Sequence, residues 1–109
     1  MNIYELLNSK NILLPKLSAF DISTISKKRT IKAWLGVDTK DFYTLIIIRE
    51  AKVRLLSKEA LEIEDLRQKI CLQQGHAIKK MILFYSSQAC SKALTLLKQN
   101  QWQCVKAEA

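Results

Sequence analysis

Glu50-Ala51-Lys52 sets a carboxylate and an ammonium two residues apart in a β-rich stretch, and Asp38 lies twelve residues upstream. A repeat of two places Glu50 and Lys52 on one face of a strand. Carboxylates are the hard oxygen ligands that Mg²⁺ takes. A cation held that way activates water and stabilises the charge building on a phosphate under attack. The same residues have a plainer use. A hairpin turning at Thr39–Lys40 pairs Asp38 with Asp41 and sets Glu50 opposite Arg29, an ordinary cross-strand ion pair. Glu50 then lies nine residues beyond Asp41, about 30 Å of extended chain. Bringing Asp38 and Glu50 together requires the turn near Tyr43–Leu45, where the residues favour strand.

The order of elements around REAKVR, together with Asp38 and Glu50-Ala51-Lys52, resembles the PD-(D/E)xK nuclease superfamily over roughly residues 30–85. The resemblance implies a Mg²⁺-dependent nuclease. It implies Asp38 and Glu50 as metal ligands, and Glu50 and Lys52 as catalytic residues, with Lys52 orienting water or neutralising the transition state. The Pro that gives the superfamily the first letter of its name does not precede Asp38.

Charge is the second signal. Eighteen Lys and Arg stand against ten Asp and Glu, a net charge of +8 on 109 residues. An excess this large favours nucleic acid or another polyanion as partner. In the hairpin register above, Lys27, Lys28, Arg29 and Lys32 line the entry to the first strand, and Arg49, Lys52, Arg54 and Lys58 line the exit from the second. All eight gather at the open end as expected phosphate contacts, with binding that weakens as salt is added. Trp34, Phe42 and Tyr43 lie in the same hairpin as core packing or as stacking surfaces for bases. The alternative is a non-enzymatic protein-interaction module, homodimeric through a sheet edge, with the charge serving solubility.

Other chemistry is thinly represented. Ser86 to Ser91 joins an apolar run to a helix, the kind of junction at which open α/β sheets bind ligands. Cys90 there is either a reactive thiol or a small buried side chain in a serine-capped helix. His76 is the only histidine, so no Ser–His–Asp or Cys–His arrangement is indicated. No GxGxxG or Walker A pattern occurs, so no nucleotide cofactor is expected; Mg²⁺ enters only with the nuclease reading. Cys71, Cys90 and Cys104 are odd in number and far apart, which fits reduced thiols and a cytoplasmic setting. The opening residues do not read as a signal peptide, and no apolar run reaches about 18 residues, so no membrane partner is expected.

These residues must be carried by regular elements, because two Gly and one Pro leave few breakers. The patterns predict a short helix within 1–12 and a mixed stretch over 15–29, with Ser18 or Asp21 capping a turn of helix. A hairpin follows, over 30–55. Ser57 is expected to cap a helix over 58–74 that stops at Gly75. A buried strand follows at Met81–Tyr85, then a helix capped by Ser86 or Ser87 and closed by Asn100, then a last strand at WQCV. The whole is a single α/β domain over residues 1–109. Its mixed sheet of about four strands is a β-hairpin followed by βαβαβ, with right-handed crossovers. The expected core includes Trp34, Leu45, Ile47, Ile63, Leu66, Ile70, Ile82, Phe84, Leu94 and Leu97.

Overall fold

The computed structural model describes residues 3–9, 14, 16–22, 30–37, 42–75 and 78–106. Eight elements follow in order: α1 (Ile3–Ser9), β1 (Lys16–Phe20), β2 (Ile31–Val37), β3 (Tyr43–Arg49), α2 (Ser57–Gln74), β4 (Ile78–Tyr85), α3 (Ser91–Gln99) and β5 (Trp102–Lys106). The five strands form one sheet in the order β1-β2-β3-β4-β5. β1, β2 and β3 pair antiparallel, whereas β3, β4 and β5 run parallel through the crossover helices α2 and α3. The architecture is the expected α/β one, with five strands rather than about four.

The extra strand is β1. Its sequence, KLSAF, has exposed and half-buried positions and no continuous apolar run. Its hydrogen bonds come from β2, and Ser18 Oγ donates to Leu35 O at 3.4 Å. Ser18 therefore sits in an edge strand and caps no helix. A short polar edge strand is defined by its neighbour more than by its own pattern.

β3 explains why the sheet is double-sided. Six of its seven residues are buried, and the middle of YTLIIIR is apolar without alternation. Such a strand must be covered on both faces. Ile31, Ala33, Leu35, Leu45, Ile47, Met81, Leu83 and Trp102 face α2 and α3, where they meet Ala60, Ile63, Ile70, Ala93 and Leu97. Ile46, Ile48, Ile82 and Phe84 face the other way, under Ile3 and Leu7 of α1. Of the expected core, Trp34 and Leu94 are only half-buried; the rest are buried.

The hairpin register differs by one residue from the expected one. Ile31 pairs with Arg49, Ala33 with Ile47 and Leu35 with Leu45. The alternation forces this choice, since a slip by one would turn Lys32 toward Ile47 and the helix-covered core. In the observed register Lys32 pairs with Ile48 on the α1 face and stays exposed.

Helix ends also depart from expectation. Leu56 is the N-cap of α2, in extended conformation and without a side-chain cap bond, so Ser57 is the first helical residue. Gly75 closes α2 as expected, at φ 70°, with its N–H donating to Cys71 O at 3.0 Å. Cys90, rather than Ser86 or Ser87, caps α3: its Sγ accepts from the Ala93 N–H at 3.3 Å. At the far end Asn100 closes α3 as expected, and the residue after it, Gln101, takes the left-handed conformation at φ 69°.

A buried polar clamp locks α2 to β5. Trp102 Nε1 donates to Glu64 Oε2 at 2.5 Å, and Arg67 Nε donates to Glu64 Oε1 at 2.7 Å. The hydrogen bond and charge of Glu64 hold the Arg67 pKa above its ordinary value. Cys104 and Tyr85 lie on the same face. Burial pushes the Cys104 thiol up, and burial with a smaller effect of Cys104 raises the Tyr85 hydroxyl.

Two measurements test this packing. Phe84 is fully buried, and Phe84→Ala should cost about 3–5 kcal/mol in urea denaturation. Because the folded Cys104 and Tyr85 values lie above the unfolded ones, their neutral forms favour the folded state. Stability should therefore be full below the ordinary cysteine value of 9.0 and fall as the pH rises through the folded values. Cys104→Ala should flatten the lower part of that decline.

Candidate functional site

The carboxyl ends of the parallel strands lie side by side, with Arg49 opposite Tyr85 and Tyr85 opposite Lys106. Beyond them the chain leaves the sheet in two loops, 50–56 after β3 and 86–90 after β4. A cleft of about 700 Å³ opens between these loops, lined by Glu50, Ala51, Lys52, Arg54, Ser86, Ser87 and Gln88. Strand ends of this kind are where open α/β sheets place ligands.

The two loops are built as one unit. The Leu55 N–H donates to Gln88 O at 2.8 Å, and the Cys90 N–H donates to Leu55 O at 3.0 Å, a parallel bridge around Ala89. Leu55 is wholly buried at that bridge. Behind it sits Arg49, 1% exposed. Its Nε donates to Glu59 in the first turn of α2. Its Nη1 donates to Ser87 Oγ at 2.6 Å, and Nη1 and Nη2 both donate to Val53 O at 3.2 Å. Ser87 Oγ in turn donates to Gln88 O at 2.9 Å. One guanidinium thus joins the end of β3, the loop after it, the start of α2 and the loop after β4.

This placement removes Arg49 from the expected set of phosphate contacts. Its donors are committed inside the protein, and its charge is met by Glu59. In sequence Arg49 is indistinguishable from its neighbours Lys52 and Arg54; only the strand register turns it inward.

The remaining basic residues divide. Lys52, Arg54 and Lys58 are exposed on the loop and the first turn of α2, and Lys32 is exposed at the same end of the hairpin. Lys92 at the start of α3 and Lys106 at the end of β5 are also exposed at this edge of the sheet. Lys27, Lys28 and Arg29 lie outside the described residues, as does His76. Trp34 is half-buried, and Phe42 and Tyr43 stand at the opposite end of the hairpin from the cleft. Sequence reasoning singled out Glu50, Lys52 and Arg54, and it gave Ser86 to Ser91 as a ligand-binding kind of junction with Ser86 or Ser87 as a helix cap. The signal for Ser86 to Gln88 was their position after an apolar strand.

Glu50 and Lys52 are not in a strand. β3 stops at Arg49, and beyond it the Glu50 N–H donates to Thr30 O at 2.8 Å. Glu50 accordingly lies opposite Thr30 rather than Arg29. Asp38 lies outside the described residues. Val37, just before it, pairs with Tyr43, and seven residues separate Tyr43 from Glu50, about 23 Å of strand.

None of the five strands contains an Asp or a Glu. Among the described residues no group of three or more His, Cys, Asp or Glu could hold a metal ion, and Glu50 is the single carboxylate lining the cleft.

Comparison with solved structures supplies context for this geometry. The chain is similar to EndoMS in its apo form, with a TM-score of 0.61 at 18% identity over 98% of this chain and 45% of that one. The likeness is one of fold. A complex of EndoMS with double-stranded DNA matches with a TM-score of 0.57 at 16% identity, over 97% of this chain and 43% of that one. A repair endonuclease from Pyrococcus abyssi matches with a TM-score of 0.58 at 12% identity, over 96% of this chain and 44% of that one. The chain thus spans less than half the length of each. No family model and no curated protein matches the sequence. Among the described residues no helix is long and apolar enough to cross a membrane.

Two variants separate scaffold from surface. Arg49→Ala removes the guanidinium that Glu59, Ser87 and Val53 O share, and should cost about 3–5 kcal/mol in chemical denaturation. Lys52→Ala, exposed on the same loop, should change stability by less than about 0.5 kcal/mol.

Proposed function

We propose that the domain binds nucleic acid through the cleft at the carboxyl ends of β3 and β4. Lys52 and Arg54 are its inner phosphate contacts, and Lys32 and Lys58 its flanking ones. The carrying observation is the cleft itself: two exposed cations and the polar Ser86, Ser87 and Gln88 on loops that Arg49 ties to the sheet. The net charge of +8 supplies the long-range attraction. The fold's likeness to a protein solved with double-stranded DNA supports nucleic acid over other polyanions.

Cleavage is the second reading. It is favoured by Glu50 and Lys52 lining one cleft and by the likeness to a repair endonuclease, and it accords with the resemblance to the PD-(D/E)xK superfamily. Its expected second ligand, Asp38, lies outside the described residues, and the cations that line the cleft carry the binding reading without it. Glu50 then shapes the cleft beside the cations, and neither it nor Asp38 is assigned a metal.

Titration of DNA and RNA binding against salt tests the proposal. Affinity should fall linearly with the logarithm of salt concentration, and Lys52→Ala and Arg54→Ala should each reduce the slope by about 1. Absence of salt-dependent binding at low ionic strength removes the proposal in favour of a protein-interaction module. On the binding reading, incubation with Mg²⁺ or Mn²⁺ leaves the nucleic acid intact. Metal-dependent cutting that disappears in both Glu50→Ala and Lys52→Ala would instead establish the enzyme.

A further inference from the structure

The loop that carries Lys52 and Arg54 also carries exposed apolar side chains. Val53 is 69% exposed and Leu56 is 53% exposed. Single exposed aliphatic residues are common on any protein surface. These two differ because the backbone beside them cannot turn them inward. The Val53 carbonyl accepts from both terminal nitrogens of the buried Arg49. Leu55, between them, is fixed by hydrogen bonds to Gln88 and Cys90 on both sides of its peptide. Leu55 also fills the core position that a neighbour would need. Val53 and Leu56 therefore stay in water unless a partner covers them.

Cations stand before, between and after them in the run Lys52, Val53, Arg54, buried Leu55, Leu56, Ser57, Lys58. Lys52, Arg54 and Lys58 are all exposed. An apolar contact interspersed with cations suits a partner that is itself anionic along one edge and apolar along another. A nucleic-acid strand has that character, with phosphates on its backbone and base faces, sugar carbons and thymine methyl groups beside them.

We infer that Val53 and Leu56 are nucleic-acid contacts in their own right, packing on bases while Lys52, Arg54 and Lys58 hold the phosphates of the same strand. This rests on the binding role of the cleft and adds to it. The cleft and its cations grip the backbone, and the two aliphatic residues respond to whether bases are present. Arg49 acts at one remove, as a positioning residue that holds Val53 outward.

Fluorescence anisotropy with two probes tests the inference: a single-stranded oligonucleotide and an abasic strand with the same number of phosphates. Val53→Ser, at an exposed position, should keep the wild-type melting temperature, and Leu56→Ser, at the uncapped N-cap of α2, should keep or raise it. Each should weaken binding to the base-bearing strand about fivefold to tenfold and leave binding to the abasic strand unchanged. Lys52→Ala should weaken both. Equal loss on the two probes, or no loss on either, overturns the aliphatic contact while leaving the cleft's role standing. Failure of the wild-type protein to bind either probe at low salt overturns that role and this inference together. A Val53→Ser deficit seen only with anionic phospholipid vesicles overturns it in favour of a membrane surface.

Discussion

The buried guanidinium of Arg49 is the constraint on which this end of the molecule depends. It stands at the last position of the central strand, where the sheet can no longer supply partners and the connections to α2 and α3 begin. A charge taken out of water is costly unless it is paired and its hydrogen bonds are made. Glu59, Ser87 and the Val53 carbonyl meet that demand together. Because they belong to three different segments, satisfying one side chain fixes the positions of all three. A hydrophobic residue of similar size could fill the space, but it would not specify where the loops go.

That arrangement separates rigidity from function within a few residues. Leu55 and Val53 are tied down by backbone hydrogen bonds, and the side chains on either side of them remain exposed. Lys52 and Arg54 are thus presented on a scaffold that loses little freedom when a ligand arrives. Pre-organisation of this kind favours binding because less ordering remains to be done. The cleft between the loops is polar on the β4 side, through Ser86 to Gln88, and cationic on the β3 side.

The hairpin ends short of Glu50-Ala51-Lys52. Glu50 and Lys52 have the spacing of a strand face, yet the strand ends one residue earlier, and their shared location in the cleft is a property of a loop. The pairs that lie toward the helices are Ile31 with Arg49, Ala33 with Ile47 and Leu35 with Leu45. They are core residues and one internal cation. A fold similar to that of a repair endonuclease can therefore carry an aliphatic hairpin face and keep the basic surface at its strand ends.

The sequence by itself determined the fold class, the two crossover units, the antiparallel hairpin and most of the core. Those features follow from periodicity and from long apolar runs such as Leu45 to Ile48 and Met81 to Tyr85, where burial on both faces leaves little choice. Gly75 was legible because a left-handed residue was needed and only glycine takes it freely. The net charge was legible as a count. Tertiary structure decided the rest. It supplied β1, whose polar residues become a strand only beside β2. It fixed the one-residue register, through which positions of β2 and β3 share the helix-covered face. It also sorted the basic residues, burying Arg49 and leaving Lys52 and Arg54 exposed. Local sequence is silent on these points because each is settled by a partner distant along the chain: Leu35 for Ser18, Ile47 for Ala33, Ser87 for Arg49.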